Sequence, residues 1–270
     1  MATRISQRNA RFQQLQTLLT NRNKRHRAAE FVVQGVRPIT MAVEHGWEVR
    51  ALLYDGERRL SQWARDLLAA HPQVEHVRMA PDLLAELAEK EDAELLAVLA
   101  MRPDDLERIE AGPDFLGVVF DRPTQPGNIG AIVRSADAFG AHAVITTGHA
   151  ADAYDPRSVR ATTGSFFAMP VVRAPSTAEV MDWVGARRAA GLPVVVVATD
   201  EEGDADVSAY DLTQPVLLLV GNETTGLTQA WRDAADVTLS IPMTGSASSL
   251  NAANAATVVL YEARRQRRAR

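Results

Sequence analysis

The chain has no cysteine. That excludes disulfides, cysteine-rich zinc sites and a cysteine nucleophile, and it is compatible with a reducing cytosol. Lysine is almost as scarce: Lys24 and Lys90 are the only two among 29 basic residues. A bias toward arginine this uniform is not by itself phosphate recognition. Long apolar runs are missing too. Those present, such as Val194 to Ala198, suit buried strands and are far too short to span a bilayer, so no membrane partner is expected. The chain starts Met1-Ala2-Thr3-Arg4-Ile5-Ser6 and continues polar and basic, without the apolar core of a signal peptide. Two phosphate motifs are absent. Gly221 and Gly226 have G-x-x-x-x-G spacing, but Leu227-Thr228 follow where a P-loop needs Lys and then Ser or Thr. A triphosphate would lack its counter-ion, which argues against nucleotide hydrolysis. No G-x-G-x-x-G stands near residues 127–130, so a nicotinamide or flavin cofactor is unsupported.

What is present is an ordinary globular composition, 46% hydrophobic and 23% charged over 270 residues, comfortable for two domains. The net charge of −5 argues weakly against a nucleic-acid partner, but it hides a distribution. Residues 1–30 carry seven basic side chains (Arg4, Arg8, Arg11, Arg22, Lys24, Arg25, Arg27) against one acid, Glu30, and five arginines fall between Arg264 and Arg270. Local basic segments set contact with phosphate. A solvated helix face and a frayed tail are the competing reading.

Along the chain, apolar spacing predicts a helix over residues 7–20, a basic loop over 21–26 and a strand at Phe31-Val32-Val33. Helices over 37–45, 60–70 and 81–89 then alternate with strands at 50–54, 74–77 and 95–99, a small α/β layer domain. A link rich in Pro, Gly and acids runs from Met101 to Asp114, with the boundary placed at 107/108. Beyond it, strands at 115–120, 143–146, 171–172, 194–198, 216–220 and 238–241 alternate with helices over 128–140, 156–163, 177–190, 228–234 and 249–264. Continuous apolar strands between helices imply a mostly parallel sheet covered on both faces.

In such sheets ligands bind beyond the carboxyl ends of the strands. Three strand-to-helix loops there are rich in Gly, Asn, Ser and Thr: Pro126 to Gly130, Gly221 to Gly226, and Pro242 to Asn251. The first continues Gly127-Asn128-Ile129-Gly130-Ala131-Ile132-Val133-Arg134-Ser135-Ala136, then Phe139-Gly140-Ala141. The second is Leu218-Leu219-Val220-Gly221-Asn222-Glu223 with Gly226-Leu227. The third is Ile241-Pro242-Met243, then Ser249-Leu250-Asn251 and Asn254-Ala255-Ala256. In order, spacing and strand context the three resemble the motifs of the SpoU branch of the SPOUT RNA methyltransferases, over about residues 115–265. Residues 1–107, with Asn9, Arg25 to Arg27 and Phe31 to Gly35, resemble that family's L30e-like RNA-binding domain.

The resemblance implies an α/β protein in which an L30e-like domain (1–107) precedes a mostly parallel SPOUT domain (108–270) with a C-terminal trefoil knot, a topology that composition could never suggest. It implies a cytoplasmic homodimer that moves a methyl group from S-adenosylmethionine to a ribose 2′-oxygen of structured RNA, needing no metal. The two-domain layout points to 23S rRNA, with antibiotic-resistance enzymes among the relatives, while the basic tail keeps tRNA open. Carried over by residue, Thr199, Gly221, Ile241 and Leu250 hold the cofactor, and Asn128, Arg134, Glu223, Ser249 and Asn251 form the catalytic set. Arg25 and Arg27 meet RNA. A 2′-hydroxyl must lose its proton as it attacks, so a positioned acceptor and tight alignment help. The resemblance makes Arg134 the base or activator of the hydroxyl; arginine is ordinarily too basic to be neutral, so the alternative is that it stabilises the developing oxyanion or grips the adjacent phosphate.

Each residue has a plainer alternative. Arg134 could sit in a helix-surface salt bridge, Asn128 or Ser249 could cap a helix, and Glu223 could be an exposed loop acid. His142 and His149 have no partner pattern and read as structural. Phe166-Phe167 suits core better than base stacking, and Arg157 and Arg160 suit either RNA phosphate or a solvated face. A non-catalytic RNA-binding protein on this fold would be expected to lose Arg134, Asn128 or the Ser249/Asn251 pair, and all are present.

Overall fold

A computed structural model of the protein describes residues 3–269. The elements run β1 (Thr3–Ile5), α1 (Ala10–Thr20), α2 (Arg22–Ala28), β2 (Glu30–Gln34), α3 (Val36–Glu44), β3 (Val49–Asp55), α4 (Gln62–Ala70), β4 (Glu75–Met79), α5 (Pro81–Ala88) and β5 (Leu95–Ala100). After a 3-10 turn come β6 (Leu116–Asp121), α6 (Pro126–Ala138), β7 (Ala143–Thr147), α7 (Pro156–Ala161), α8 (Ser165–Ala168), β8 (Val171–Ala174) and α9 (Thr177–Ala189). The chain ends with β9 (Val195–Thr199), β10 (Ala205–Asp206), β11 (Val216–Val220), α10 (Gln229–Ala234), β12 (Val237–Ser240) and α11 (Ala252–Arg268). None of the described helices is long and apolar enough to cross a membrane.

The chain divides into two compact units, Met1–Arg102 with Tyr154–Ala168, and Pro103–Ala153 with Met169–Arg270. The division falls at 102/103 instead of the expected 107/108, and the first unit also takes a segment far along the chain. The reason is aromatic packing. Phe166 and Phe167, each 1% exposed, and Tyr154 join Phe31 and Trp47 in one cluster, and the Trp47 indole donates to the Phe167 carbonyl at 3.0 Å. The pair is core, as its apolar character suggested.

In the first unit a five-stranded sheet has the order β1-β4-β3-β5-β2, with β5 antiparallel to both neighbours. The three-residue β1 is too short to carry a periodic signal. The region expected as a basic loop is the helix α2. Asn21 caps it by accepting from the Lys24 amide at 3.0 Å, and Ala29 closes it in the left-handed region at φ 52°. Arg25 is 2% exposed and donates to the Leu18 carbonyl at 2.6 Å. It satisfies the orphaned carbonyl end of α1 from the interior, so the expectation that it faces RNA is corrected. Arg27 is exposed. Asn9 caps α1 through the Phe12 amide, and Arg157 and Arg160 pair with Asp155 and Glu89.

The second unit is built on seven parallel strands in the order β10-β12-β9-β11-β6-β7-β8. Every residue of β6, β7 and β11 is buried, as a parallel sheet with both faces covered requires. Phe115, Trp183 and Trp231 fill the core beside Leu217, Leu219 and Val196. His142 is structural, accepting from the Leu116 amide at 3.1 Å. Because the strands are parallel, the carboxyl ends of β6, β9, β11 and β12 lie along one edge, where the three polar loops gather.

Candidate active site

A cavity of about 280 Å³ opens at that edge. Thr199 at the end of β9, Gly221 after β11, Ile241 after β12 and Leu250 ahead of α11 all line it. These four come from three separated stretches of sequence, and parallel strands bring them together. Gly221 is required by space: a Cβ there would stand 2.6 Å from the Gly226 carbonyl carbon and the Leu227 amide nitrogen. The charged lining residues are Asp200, Glu201 and Glu223, with no Lys or Arg. Such a wall favours a cationic ligand over a polyphosphate.

Beside the cavity three side chains form a chain of hydrogen bonds. The Asn128 amide donates to Glu223 Oε1 at 2.8 Å, and the Asn251 amide donates to Asn128 Oδ1 at 3.3 Å. Thr124 Oγ1 donates to Glu223 Oε2 at 3.1 Å. Partial burial pushes the Glu223 carboxyl up. The hydrogen bonds from Asn128, its own backbone and Thr124 outweigh that and hold it below the usual 4.5. Glu223 is therefore a fixed carboxylate that accepts from two sides.

The network settles several alternatives. Asn128 lies in the third position of α6, and its side chain faces Glu223 and Asn251, so it is no cap. Asn251 is the cap of α11, accepting from the Ala253 and Asn254 amides at 2.9 and 3.3 Å. That starts the helix at Ala252, three residues later than expected, and leaves Ser249 on the cavity wall. Arg134 is exposed on α6 and does not line the cavity. Its side chain has no ion pair or hydrogen bond among the described residues, so the salt-bridge alternative is not realised. Sequence reasoning missed Thr124, Asn222 and the adjacent Asp121 and Arg122. Asn222 folds the loop on itself, accepting from the Thr224 and Thr225 amides at 2.9 and 3.1 Å. A Pro-framed turn after a strand signalled a loop, but nothing signalled which side chains turn inward.

The depressed carboxyl of Glu223 gives a pH prediction. Its folded value lies below the unfolded one, so its contribution is present above the ordinary value near 4.5. It is lost as pH falls through the lower folded value. Glu223→Gln should lower the thermal midpoint above about pH 5, and the gap to wild type should narrow as pH falls below the ordinary carboxylate range. A gap independent of pH over that range would show that the charge does not matter.

Two families match this chain. The SpoU rRNA methylase family covers residues 116–261 and the SpoU L30e-like domain residues 9–97. A curated relative from Streptomyces viridochromogenes, a 23S rRNA (uridine(2479)-2′-O)-methyltransferase, is 67% identical over 268 residues, 98% of this chain and 93% of that protein. The crystal structure of the SpoU methyltransferase AviRb from the same organism, in complex with AdoMet, superposes with a TM-score of 0.92 at 66% identity. It covers 96% of this chain and 98% of that one. An AdoMet-bound rRNA methyltransferase from Sinorhizobium meliloti gives 0.87 at 29% identity, covering 98% of both chains. The methylase match spans more than half of the residues and coincides with the sheet whose loops build the cavity, and the protein belongs to the SpoU rRNA methylase family.

Proposed function

We propose that the protein transfers a methyl group from S-adenosylmethionine to a ribose 2′-oxygen of 23S rRNA. The observation that carries this is the cavity at the ends of β9, β11 and β12, with its glycine cradle and purely acidic charge, set against the Asn128–Glu223–Asn251 network. The residues fit that donor. Its sulfonium and ammonium groups suit a wall carrying Asp200, Glu201 and Glu223, while Thr199, Gly221, Ile241 and Leu250 would hold it. Bound there, it supplies an electrophilic methyl carbon.

The remaining work falls to the chain. The network fixes two amides and a carboxylate at the cavity edge, a rigid frame that orients a ribose for in-line attack. Arg134 carries a guanidinium without a partner among the described residues, which offsets negative charge developing on the 2′-oxygen as its proton passes to solvent at the open cavity edge. Ser249, on the wall, donates or accepts at the same edge.

Several finer readings accompany this one. The first unit holds RNA through exposed cations including Arg27, and the chain works in the cytoplasm on ribosomal RNA. The C-terminal chain threads a knot, and two subunits complete the site. An exposed apolar strip supports the last point. Val258 and Tyr261 of α11 are 38% and 57% exposed, and Tyr261 packs edge-on to Phe139 beside α6 at 5.8 Å. A second copy would cover them and bring another Arg134 toward the site. The tail supports tRNA less than its composition suggested. Arg265 pairs with Glu262 at 2.7 Å, Arg267 is held by carbonyls, and Arg270 lies outside the described residues.

The test is transfer from labelled S-adenosylmethionine to 23S rRNA and to tRNA separately, with nucleoside mass analysis. A 2′-O-methylated nucleoside from 23S rRNA alone is expected. Methylation of tRNA alone would move the substrate. Donor binding without transfer to either RNA, free or in assembly intermediates, would favour a non-catalytic RNA-binding protein.

A further inference from the structure

At the end of β6 stand two charged residues that no motif includes. Asp121 is 2% exposed. Its carboxylate accepts from Thr147 Oγ1 at 3.1 Å, from the Thr228 amide at 2.9 Å and from Arg122 Nε at 3.2 Å. One buried anion thereby ties together the ends of β6 and β7 and the residues after the Gly221–Gly226 loop. Arg122 has φ 49°, a left-handed conformation that is strained for a side chain of this size. Its stem runs over Gly148, where a Cβ would come within 2.8 Å of Arg122 Cγ. Its Nη2 donates to the Gly226 carbonyl at 3.0 Å, and its own carbonyl accepts from the Asn222 amide side chain at 2.7 Å.

The loop so gripped is the one that lines the cavity. Gly221, Asn222, Glu223, Gly226 and Leu227 all contribute to its wall. Asn222 and Gly226 bridge each other through paired backbone hydrogen bonds, each 3.0 Å. Arg122 therefore binds a carbonyl of the loop's closing residue, and Asp121 fixes where that guanidinium can lie. A strained backbone that persists at a buried anion points to a positioning role.

We propose that Asp121 and Arg122 form a clamp that pre-orders the Gly221–Gly226 loop and thereby sets affinity for the methyl donor. This rests on the reading that the cavity holds S-adenosylmethionine. A loop ordered in advance costs the ligand less to bind. Removing the guanidinium leaves the ordering to the donor, so affinity falls while the chemistry, once the donor is seated, is kept.

Arg122→Gly separates this from a merely structural role. Glycine adopts positive φ freely, and the variant keeps the carbonyl that holds Asn222 while deleting the grip on Gly226. The thermal midpoint should fall modestly, since relief of the positive φ offsets only part of the lost pairing to the buried Asp121, so affinity is read at a temperature where the variant is fully folded. Calorimetric affinity of the full chain for S-adenosylmethionine and for S-adenosylhomocysteine should fall about tenfold, with KM for the donor rising in step and kcat changing less. Arg122→Lys, which cannot reach Asp121 and Gly226 with one planar fork, should fall between. Amide exchange at Asn222 and Gly226, measured without ligand, should quicken in Arg122→Gly. Unchanged exchange overturns the clamp, as does a kcat loss at constant KM. Should wild type bind neither compound, the donor reading itself falls, and the exchange result still shows whether Arg122 orders the loop.

Discussion

Arg134→Ala should reduce methyl transfer by on the order of a thousandfold while leaving donor affinity near wild type. The expectation comes from what the residue does not touch. A surface arginine that merely stabilises a helix has a carboxylate three or four positions away or a carbonyl in reach. Asp137 stands three positions on, yet the Arg134 side chain makes no ion pair or hydrogen bond with it or with any other described residue, and it is exposed on α6, the helix whose first turn presents Asn128 to Glu223. Because it does not line the cavity, its loss should spare the donor. Charge and geometry can then be told apart. Arg134→Lys keeps the cation and loses the planar fork, so it should recover part of the rate if charge on the developing oxyanion dominates, and little if a bidentate grip on phosphate dominates. Single-turnover rates with saturating donor and RNA would decide. Rates for Arg134→Ala within a few-fold of wild type would remove the residue from the chemistry.

Much of the site is legible in the sequence because the sheet is parallel. Thr199, Gly221 and Ile241 stand at or just after strand ends and Ser249 and Leu250 precede the last helix, and parallel order brings such positions together. Glu223 and Asn128 are legible as members of small polar loops. What their side chains do is not, because the hydrogen bond between them spans 95 residues. Asp121 and Arg122 are harder still. A charged pair at a strand end looks solvated, and only the loop 100 residues later shows that Asp121 is buried and Arg122 is bent into positive φ. The same blindness to burial explains the misreading of residues 21–26. Arg22, Lys24, Arg25 and Arg27 suggest a solvated surface, yet the end of α1 needs a donor inside, and Arg25 supplies it. Periodicity reports which face is apolar and says nothing of a buried guanidinium.

The second large effect is on stability, and it comes from the tail. Arg267→Ala should destabilise the protein by about 3 kcal/mol, a fall of roughly 6–12 °C in thermal midpoint. In the last turn of α11, Arg267 donates to four carbonyls: Leu212 at 3.0 Å, Gln214 at 2.8 Å, Phe115 at 3.0 Å, and Asp114. Its neighbour Gln266 works alongside, donating to the Tyr210 carbonyl at 3.0 Å and accepting from the Leu212 amide at 2.9 Å. Together they pin the end of the last helix to the segments entering β6 and β11, the two strands at the middle of the sheet. Burial lowers the Arg267 pKa from the ordinary arginine value, with Asp114 opposing the shift and Arg264 reinforcing it, but an arginine stays charged at neutral pH. Truncation therefore removes charge-assisted hydrogen bonds and leaves several partly buried carbonyls to find water or go without. Lysine at 267, with one ammonium, cannot serve four acceptors and should recover less than half. Arg268→Ala is the matched control: that residue is exposed, and its loss should stay within about 0.5 kcal/mol. Urea unfolding of the three variants tests this, and equal effects at 267 and 268 would show the tail to be the frayed, solvated end that its composition suggests. A large effect at 267 alone would mean that Arg267 by itself anchors the last turn, and that α11 is fixed at both ends, by Asn251 at the site and by Arg267 at the far side of the sheet.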